Sequence, residues 1–153
     1  MTDVFDSATR SWIMSRVTSS DTRPEVFIAE SLKAAGIRFQ AHRADLPGHP
    51  DFVVASQKLA IFVNGCFWHW HGCPRCRMPA SNRAYWKQKI SRNVLRDKKS
   101  RSELHRLGWR YMTVWECNLK VGLKRCTRTL RLLKLSHQPA KPNSSKPTRR
   151  FQS

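Results

Sequence analysis

The alternation of apolar and polar residues predicts two helices in the first third of the chain. Residues 8–18 have a loosely apolar side and predict a short helix. A second helix is predicted from Thr22 to Gly36, because Thr22 suits the N-cap, Pro24 lies in the first turn, and Glu25 occupies the capping-box position. Its apolar residues follow at helical spacing: Phe27, Ile28, Leu32 and Ala35.

A group of short strands is predicted next. Residues 37–41 alternate in polarity as a strand does, and residues 46–50 contain two prolines and a glycine that predict a turn. The apolar runs 51–55 and 59–63 are separated by three polar residues and predict a hairpin in a buried sheet. A cysteine-rich loop, 64–80, follows.

The second half of the chain predicts helix, strand and helix. Residues 82–107 have apolar residues near the helical period, although Asp97 and Arg101 interrupt that stripe and indicate a break or a functional face. Residues 109–115 predict a strand and 119–135 a basic closing helix. The element order is therefore α-β-β-β-α-β-α, which predicts an α/β fold with a mixed sheet flanked by helices.

The composition predicts one domain and a tail. The 153 residues suit a single domain, which we place at 1–135. Residues 136–153 are rich in Pro and Ser and predict a disordered basic tail. No apolar run is long enough to span a membrane, and the N-terminus resembles no signal peptide. We therefore expect a cytoplasmic protein associated with the nucleoid and no membrane partner.

The charge indicates a polyanionic partner. The chain has 29 Lys and Arg against 10 Asp and Glu, a net charge of +19. The tail accounts for four of these positive charges, so the predicted domain is itself strongly basic. Residues 52–96 contain no acid but eight Lys and Arg. Such a surface favours nucleic acid as the partner over an anionic membrane, since no amphipathic anchor is evident.

The cysteine-rich loop predicts a metal site. Cys66, Cys73 and Cys76 lie within eleven residues together with two histidines, and a chain without an export signal has little use for disulfides. Zinc takes four such ligands in a tetrahedron, and a distant Cys117 could complete the set. Cys73 and Cys76 form a C-x-x-C pair, so the residues leave open whether Cys76 replaces His71 or Cys117. A site with four protein ligands would be structural.

One carboxylate stands out as a candidate for catalysis. Asp51 is the sole acid between Asp45 and Asp97, and it precedes an apolar strand. It could cap the strand, or it could bind Mg²⁺, which prefers carboxylate oxygen. His69 and Glu25 are candidates for activating water, although His69 could be an unused histidine of the loop and Glu25 a capping residue.

Aromatic residues near this loop suit base stacking or insertion between base pairs. They lie beside basic residues, in the loop and at the start of the following helix: Phe67, Trp68, Trp70, Tyr85 and Trp86. For Tyr85 we expect core packing instead.

Several ordered motifs resemble the very-short-patch repair (Vsr) DNA mismatch endonucleases. The resemblance runs from about residue 3 to about residue 135. It rests on these segments: 9–11, 22–25, 46–51, 62–69, Trp86 with Lys89, 93–97, and 108–117.

The resemblance implies a restriction-endonuclease-like fold with a structural zinc site. It implies a Mg²⁺-dependent nick on the 5′ side of the T in a T:G mismatch, which arises when 5-methylcytosine deaminates. The implied partner is double-stranded DNA bound by a monomer, and other repair proteins remain open as further partners.

The resemblance also assigns roles to residues. Asp51 matches the metal-binding aspartate, with the backbone carbonyl of Val63 as a second Mg²⁺ contact, and His69 and Glu25 match the residues that organise or deprotonate the attacking water. The matching zinc ligands are Cys66, His71, Cys73 and Cys117. The matching DNA-inserting residues are Phe67, Trp68 and Trp86, with Met14 approaching from the other groove.

Two departures qualify these assignments. The wider nuclease superfamily carries a carboxylate and a lysine on the strand that here ends in Phe62-Val63-Asn64, and the Vsr proteins share their absence. Some members have a histidine where Asn64 stands, and an amide is not a base. His69 would then act alone, or the metal would activate the water.

The sequence is also compatible with two other interpretations: a nickase with a different sequence context, and a non-catalytic zinc-containing DNA-binding module. The joint presence of Asp51, His69 and Glu25 favours an enzyme, because a binding module needs none of them.

Overall fold

A computed structural model describes Thr9, Trp12 and residues 20–136 of the chain. Thr9 and Trp12 are helical, as predicted, whereas most of the predicted helix 8–18 and the predicted tail lie outside the described residues. None of the helices among the described residues has the length and apolar character needed to cross a membrane.

The first long helix, α1 (Arg23–Ala34), lies where the capping signals predict it. Pro24 lies in its first turn. Glu25 accepts hydrogen bonds from the backbone N–H of Asp21 (2.8 Å) and the hydroxyl of Thr22 (2.7 Å). The Thr22 side chain makes no capping hydrogen bond, and Glu25 accepts from the N–H of Asp21 where a capping box uses that of Thr22, so the expected capping box does not form. The chain leaves the helix through Gly36 at φ +67°.

A four-stranded mixed sheet follows, in the order β1-β2-β3-β4. The strands are β1 (Gln40–Ala41), β2 (Phe52–Val54), β3 (Leu59–Asn64) and β4 (Arg110–Trp115). β2 pairs antiparallel with β1 and β3, which confirms the predicted hairpin, and β3 pairs parallel with β4 from Leu59↔Arg110 to Asn64↔Trp115. The strand predicted over 37–41 is only two residues long.

Three more helices complete the fold: α2 (Cys66–His69), α3 (Arg83–Arg106) and α4 (Leu119–Ser136). The single turn of α2 lies in the segment predicted to be a loop, and Asn93 of α3 holds it by donating to the Trp68 carbonyl (3.2 Å). α3 is continuous, so the break considered at Asp97 and Arg101 is absent from this helix.

The helices cover the two faces of the sheet. On one face α1 and α4 enclose the larger core, formed by Ile28, Leu32, Phe52, Val54, Leu59, Ile61, Val114, Cys126 and Leu130. On the other face α3 packs through Leu104 against Leu46, Val53 and Ala60. Alternate residues of β2 and β3 therefore point to opposite cores, as strand geometry requires. From α1 onward the order α-β-β-β-α-β-α is confirmed, with three short turns added: α2 and the 3-10 turns Ala55–Gln57 and Glu116–Asn118.

Candidate active site

A cleft of about 650 Å³ opens where β3 ends. It lies between the N-terminal end of α1, the C-terminal end of β3, the end of α2 and the middle of α3. Four residues singled out in the sequence line this one cleft, although they come from four segments of the chain: Glu25, Asp51, Val63 and His69.

Asp51 is a largely buried carboxylate in this cleft. Its Oδ2 accepts a hydrogen bond from the Val63 backbone N–H at 2.6 Å. Burial raises the pKa of Asp51 from its usual 3.8 to about 6; the hydrogen bond from Val63 opposes that rise and the negative charge of Glu25 adds to it. The carboxylate is thus destabilised when charged, and a bound cation would relieve this cost.

Glu25 faces the same cleft and is only 5% exposed. Its two carboxylate oxygens accept the hydrogen bonds from Asp21 and Thr22 described above. Glu25 therefore holds the start of α1 through these hydrogen bonds and also lines the cleft. Its charge lies near enough to Asp51 to raise the pKa of that residue.

His69 ends α2 and is paired with Asp97. Its Nδ1 lies 2.5 Å from Oδ2 of Asp97, and both side chains are about four-fifths buried. A carboxylate at Nδ1 fixes the orientation of the imidazole ring. Nε2 of His69 makes no hydrogen bond to any described residue, so it is the nitrogen left for chemistry in the cleft.

The sequence did not identify Asp97 as the partner of His69. The signal was present, since Asp97 is an acid on the otherwise apolar stripe of α3. Only the packing of α2 against α3 pairs residues that are 28 positions apart. Other cleft residues were also missed as site residues, and three of them are cations from α3: Arg96, Lys99 and Arg101.

Asn64 ends β3 at the wall of the cleft and is 6% exposed. A neutral amide therefore stands beside Asp51 and Val63, and it supplies no base. The imidazole of His69 is one of two in this cleft; the second belongs to His49, from the turn before β2.

A metal centre can form next to this cleft. Ligand atoms of four residues lie within 4.8 Å of one another: Cys66, His71, Cys73 and Cys117. Cys66 begins α2, and Cys117 lies in the turn Glu116–Asn118 just after β4, so a metal bound by this group would join the cysteine-rich segment to the end of the sheet. The His71 ring stacks on Trp115, with centroids 3.9 Å apart, and its Nε2 lies 3.5 Å from Sγ of Cys117.

Cys76 lies beside this group but outside it. Its thiol donates to the Cys66 carbonyl (3.1 Å), and its Sγ is 3.8 Å from that of Cys73. The residue types and spacing left open whether Cys76 takes the place of His71 or of Cys117. The geometry favours the ligand set that contains both His71 and Cys117. Burial raises the pKa of the Cys66 thiol to about 12. A soft metal bound to this sulfur would displace the thiol proton.

An aromatic cluster projects from α2 and the start of α3. The Phe67 ring contacts Trp68 and Trp86 edge-on, with centroids 5.0 and 5.4 Å apart. Phe67 and Trp68 are partly exposed, whereas Trp86 is 8% exposed and lies beneath them. The expectation of core packing for Tyr85 is wrong, because this side chain is 51% exposed: the first turn of α3 directs it to solvent.

The ammonium group of Lys89 lies over these rings, 5.1 Å from the Trp68 centroid and 5.6 Å from that of Trp86. Aromatic faces and a cation are thus presented together. Met14, the remaining predicted DNA contact, lies outside the described residues.

Comparison with known proteins gives consistent results. A family model described as "DNA mismatch endonuclease Vsr" matches residues 2–75. The chain is 45% identical over 120 residues to the DNA mismatch endonuclease Vsr of Escherichia coli (strain K12), covering 78% of this chain and 77% of that protein.

Two nicking enzymes are similarly related. Identity is 44% over 119 residues to the type II nicking enzyme V.XorIIP of Xanthomonas oryzae pv. oryzae, covering 78% of this chain and 88% of the relative. It is 36% over 137 residues to the type II nicking enzyme V.NmeAIP of Neisseria meningitidis serogroup A, covering 88% and 98%.

Proposed function

Because the chain belongs to the Vsr family of DNA mismatch endonucleases, we propose that it nicks one strand of a duplex on the 5′ side of the T in a T:G mismatch. The observation that carries this proposal is the convergence of Asp51, Glu25 and the His69–Asp97 pair in one cleft. A module that only binds DNA has no use for a buried carboxylate that is costly to ionise.

A divalent cation fits the donor set at Asp51. Mg²⁺ prefers carboxylate and carbonyl oxygen, which Asp51 and the backbone of Val63 would supply. The raised pKa of Asp51 arises mainly from burial, and a cation bound to this carboxylate would favour its charged form. Bound Mg²⁺ would polarise the scissile phosphate and stabilise negative charge in the transition state.

His69 is the proposed general base. Nε2 would accept the proton of the attacking water, while Asp97 holds the ring by Nδ1 and stabilises the imidazolium that forms. Glu25 is anchored by Asp21 and Thr22, so it can orient water at a fixed position. Because the amide of Asn64 cannot act as a base, His69 is the side chain to which we assign proton transfer.

Zinc is the metal proposed for the four-ligand group. Three thiolates and one imidazole form a set typical of structural zinc, and four protein ligands leave no open position for catalysis. Zinc there would fix α2, and with it both His69 and the aromatic cluster, to the end of β4.

The aromatic cluster is the proposed mismatch sensor. Phe67 and Trp68 would insert between base pairs, supported from below by Trp86. Insertion costs a few kcal/mol of unstacking, and the cost is smaller where pairing is already imperfect. The cations of α3 would hold the phosphates beside the cleft.

The four-stranded mixed sheet with helices on both faces supports a restriction-endonuclease-like fold for a domain spanning residues 1–135. We propose that this domain acts as a monomer, since the proposed catalytic groups and both metal sites come from one chain.

The direct test uses strand-labelled duplexes with a T:G or a T:A pair at one position, with Mg²⁺ or with a chelator. We expect one nick, 5′ of the mismatched T, only in the T:G duplex with Mg²⁺. Asp51→Ala should abolish nicking and keep DNA binding. The control is Asp45→Ala, which should cut normally because Asp45 is an exposed carboxylate paired with Arg43.

Equal cutting of the T:G and T:A duplexes would contradict the proposal. Duplexes with varied flanking base pairs would reveal a nickase with a different sequence context.

A further inference from the structure

Helix α4 carries a face of uncompensated positive charge. Six cations project from it and all are exposed: Lys120, Lys124, Arg125, Arg128, Arg131 and Lys134. No acid occurs anywhere from residue 117 to the end of the chain. We call these six residues the α4 basic face.

Among the residues that the structure describes, no acid neutralises the α4 basic face. None of its cations forms an ion pair with a described residue. Lys120, Lys124 and Arg128 follow one another at i,i+4 spacing, so their charges are neighbours on the helix surface and repel. Repulsion among these charges lowers the stability of the isolated protein, and a bound polyanion would replace this repulsion with attraction.

The side chains of the α4 basic face converge on shared depressions. Lys124, Arg128 and Arg131 line one shallow depression of about 390 Å³. Arg131 and Lys134 line a second, of about 680 Å³, to which Arg38 contributes from the chain that follows α1. The positive surface is therefore continuous along the C-terminal half of α4 and extends onto another element.

This surface lies on the opposite side of the sheet from α3. α4 packs on the core that contains Phe52, Val54 and Ile61, whereas α3 packs on the core that contains Val53 and Ala60. With a sheet between two helix layers, the outer surfaces of α3 and α4 are about 30 Å apart and face away from each other. The cleft also includes Glu25 at the N-terminal end of α1, whereas Arg131 and Lys134 line a depression with residues 35–37, beyond the C-terminal end of α1, so the two sites are separated along that helix as well.

We propose that the α4 basic face binds the phosphate backbone of a second segment of double-stranded DNA, so that one molecule holds two segments at once. Cations four residues apart rise about 6 Å along a helix, which is close to the rise of two nucleotides, about 7 Å, along one strand of a duplex. Among the α4 side chains whose burial is described, residues 119–134, the exposed large apolar ones are Val121 and Leu132. This is too little apolar surface for an interfacial membrane helix.

The test is capture of a second duplex. A short T:G duplex is immobilised, protein is bound without divalent cation so that no strand is cut, and a labelled, fully paired duplex is added at low salt. We expect the wild-type protein to retain the labelled duplex. Lys124→Gln/Arg128→Gln/Arg131→Gln should reduce that retention at least about tenfold, because three phosphate contacts are lost.

Two matched variants make the test specific. Lys58→Gln/Arg106→Gln/Arg110→Gln removes the same charge near the opposite end of the β3–β4 pair from the cleft, and should retain the second duplex. Lys124→Arg/Arg128→Lys/Arg131→Lys keeps the α4 charge and should also retain it. The melting temperature of the α4 Gln variant should not fall, because its substitutions relieve repulsion; a variant that unfolds is replaced by Lys124→Gln alone.

Several results would overturn the proposal: no capture by the wild-type protein, equal capture by the α4 Gln variant, or equal loss in the Lys58/Arg106/Arg110 variant. Retention of labelled polyglutamate of equal charge, with no retention of the labelled duplex, would assign the face to an acidic protein instead. Capture is measured without cleavage, so a failure of the proposed nicking activity leaves this measurement interpretable.

Discussion

Burial of the Asp51 carboxylate makes its negative charge costly in the metal-free protein, and the hydrogen bond from Val63 offsets only part of that cost. Its pKa is raised from 3.8 to about 6. Between these values the folded state binds more protons than the unfolded state. The free energy of unfolding therefore decreases as the pH rises through this window and is constant above it, as far as Asp51 is concerned.

The Asp51→Asn variant should consequently be more stable than wild type at pH 7 without metal. The expected difference in the free energy of unfolding is about 2–3 kcal/mol, and it should shrink toward zero near pH 4. Urea unfolding of both proteins at several pH values, with chelator, measures it. A difference that is the same at pH 4 and pH 7 would show that the raised pKa has another origin.

The His69–Asp97 pair makes a second prediction at this scale. His69→Ala should lower the single-turnover nicking rate by roughly 10²–10⁴. Asp97→Asn should lower it less, because the imidazole remains but loses its orienting charge.

If Asp97 acts only through His69, adding Asp97→Asn to His69→Ala should cause no further loss. The rate constants of the four proteins at saturating enzyme complete this double-mutant cycle. Additive losses would mean that Asp97 has an independent role in the cleft, such as metal binding.

At the scale of elements, the four-ligand group ties α2 to the end of β4. Structural zinc contributes on the order of 10 kcal/mol of folding free energy in small domains. We expect Cys117→Ser to yield protein that is insoluble or free of zinc. Cys76→Ser, a matched thiol outside the group, should bind one equivalent. Metal analysis of the purified proteins checks both, and full zinc occupancy in Cys117→Ser would move the fourth ligand to Cys76.

The aromatic cluster depends on the same element. Trp68→Ala should weaken binding to a T:G duplex more than to a T:A duplex, because the proposed role of Trp68 is insertion at the mismatch, where unstacking costs less. Tyr85→Ala is the matched control, since Tyr85 is exposed beside the cluster and touches Trp86. Titrations of both duplexes at one salt concentration separate the variants. Equal weakening of both duplexes by Trp68→Ala would make Trp68 a general contact.

At the scale of the whole molecule, the net charge of +19 sets the affinity for DNA of any sequence. Each phosphate contact contributes about −0.9 to the slope of log K against log salt concentration. Arg96→Gln or Lys99→Gln, at the cleft, should each make this slope shallower by about that amount. Trp68→Ala should leave the slope unchanged, because a stacked ring releases no counterions. Unchanged slopes for both cleft variants would place the duplex elsewhere.

Much of the fold follows from local patterns. The capping signals around Thr22 and Glu25 and the two apolar runs of the hairpin predict elements that the structure contains, because short-range periodicity and turn residues act within a few positions. The predicted strand 37–41 shortens to two residues because only Gln40 and Ala41 pair with β2. The turn α2 could not be predicted, because its apolar residues have no helical repeat over four positions.

The sequence by itself determined the chemistry: a basic, acid-poor chain, a thiol-rich segment, and an isolated aspartate before a buried strand. Tertiary structure alone decided which groups meet. It placed Asp97 at His69, brought Cys117 to Cys66 and left Cys76 outside the group, and buried Trp86 under Phe67 while exposing Tyr85. Each of these depends on helices packing against a sheet across dozens of residues. Residue type and spacing specify what a side chain can do, whereas the packing of distant elements specifies its neighbours.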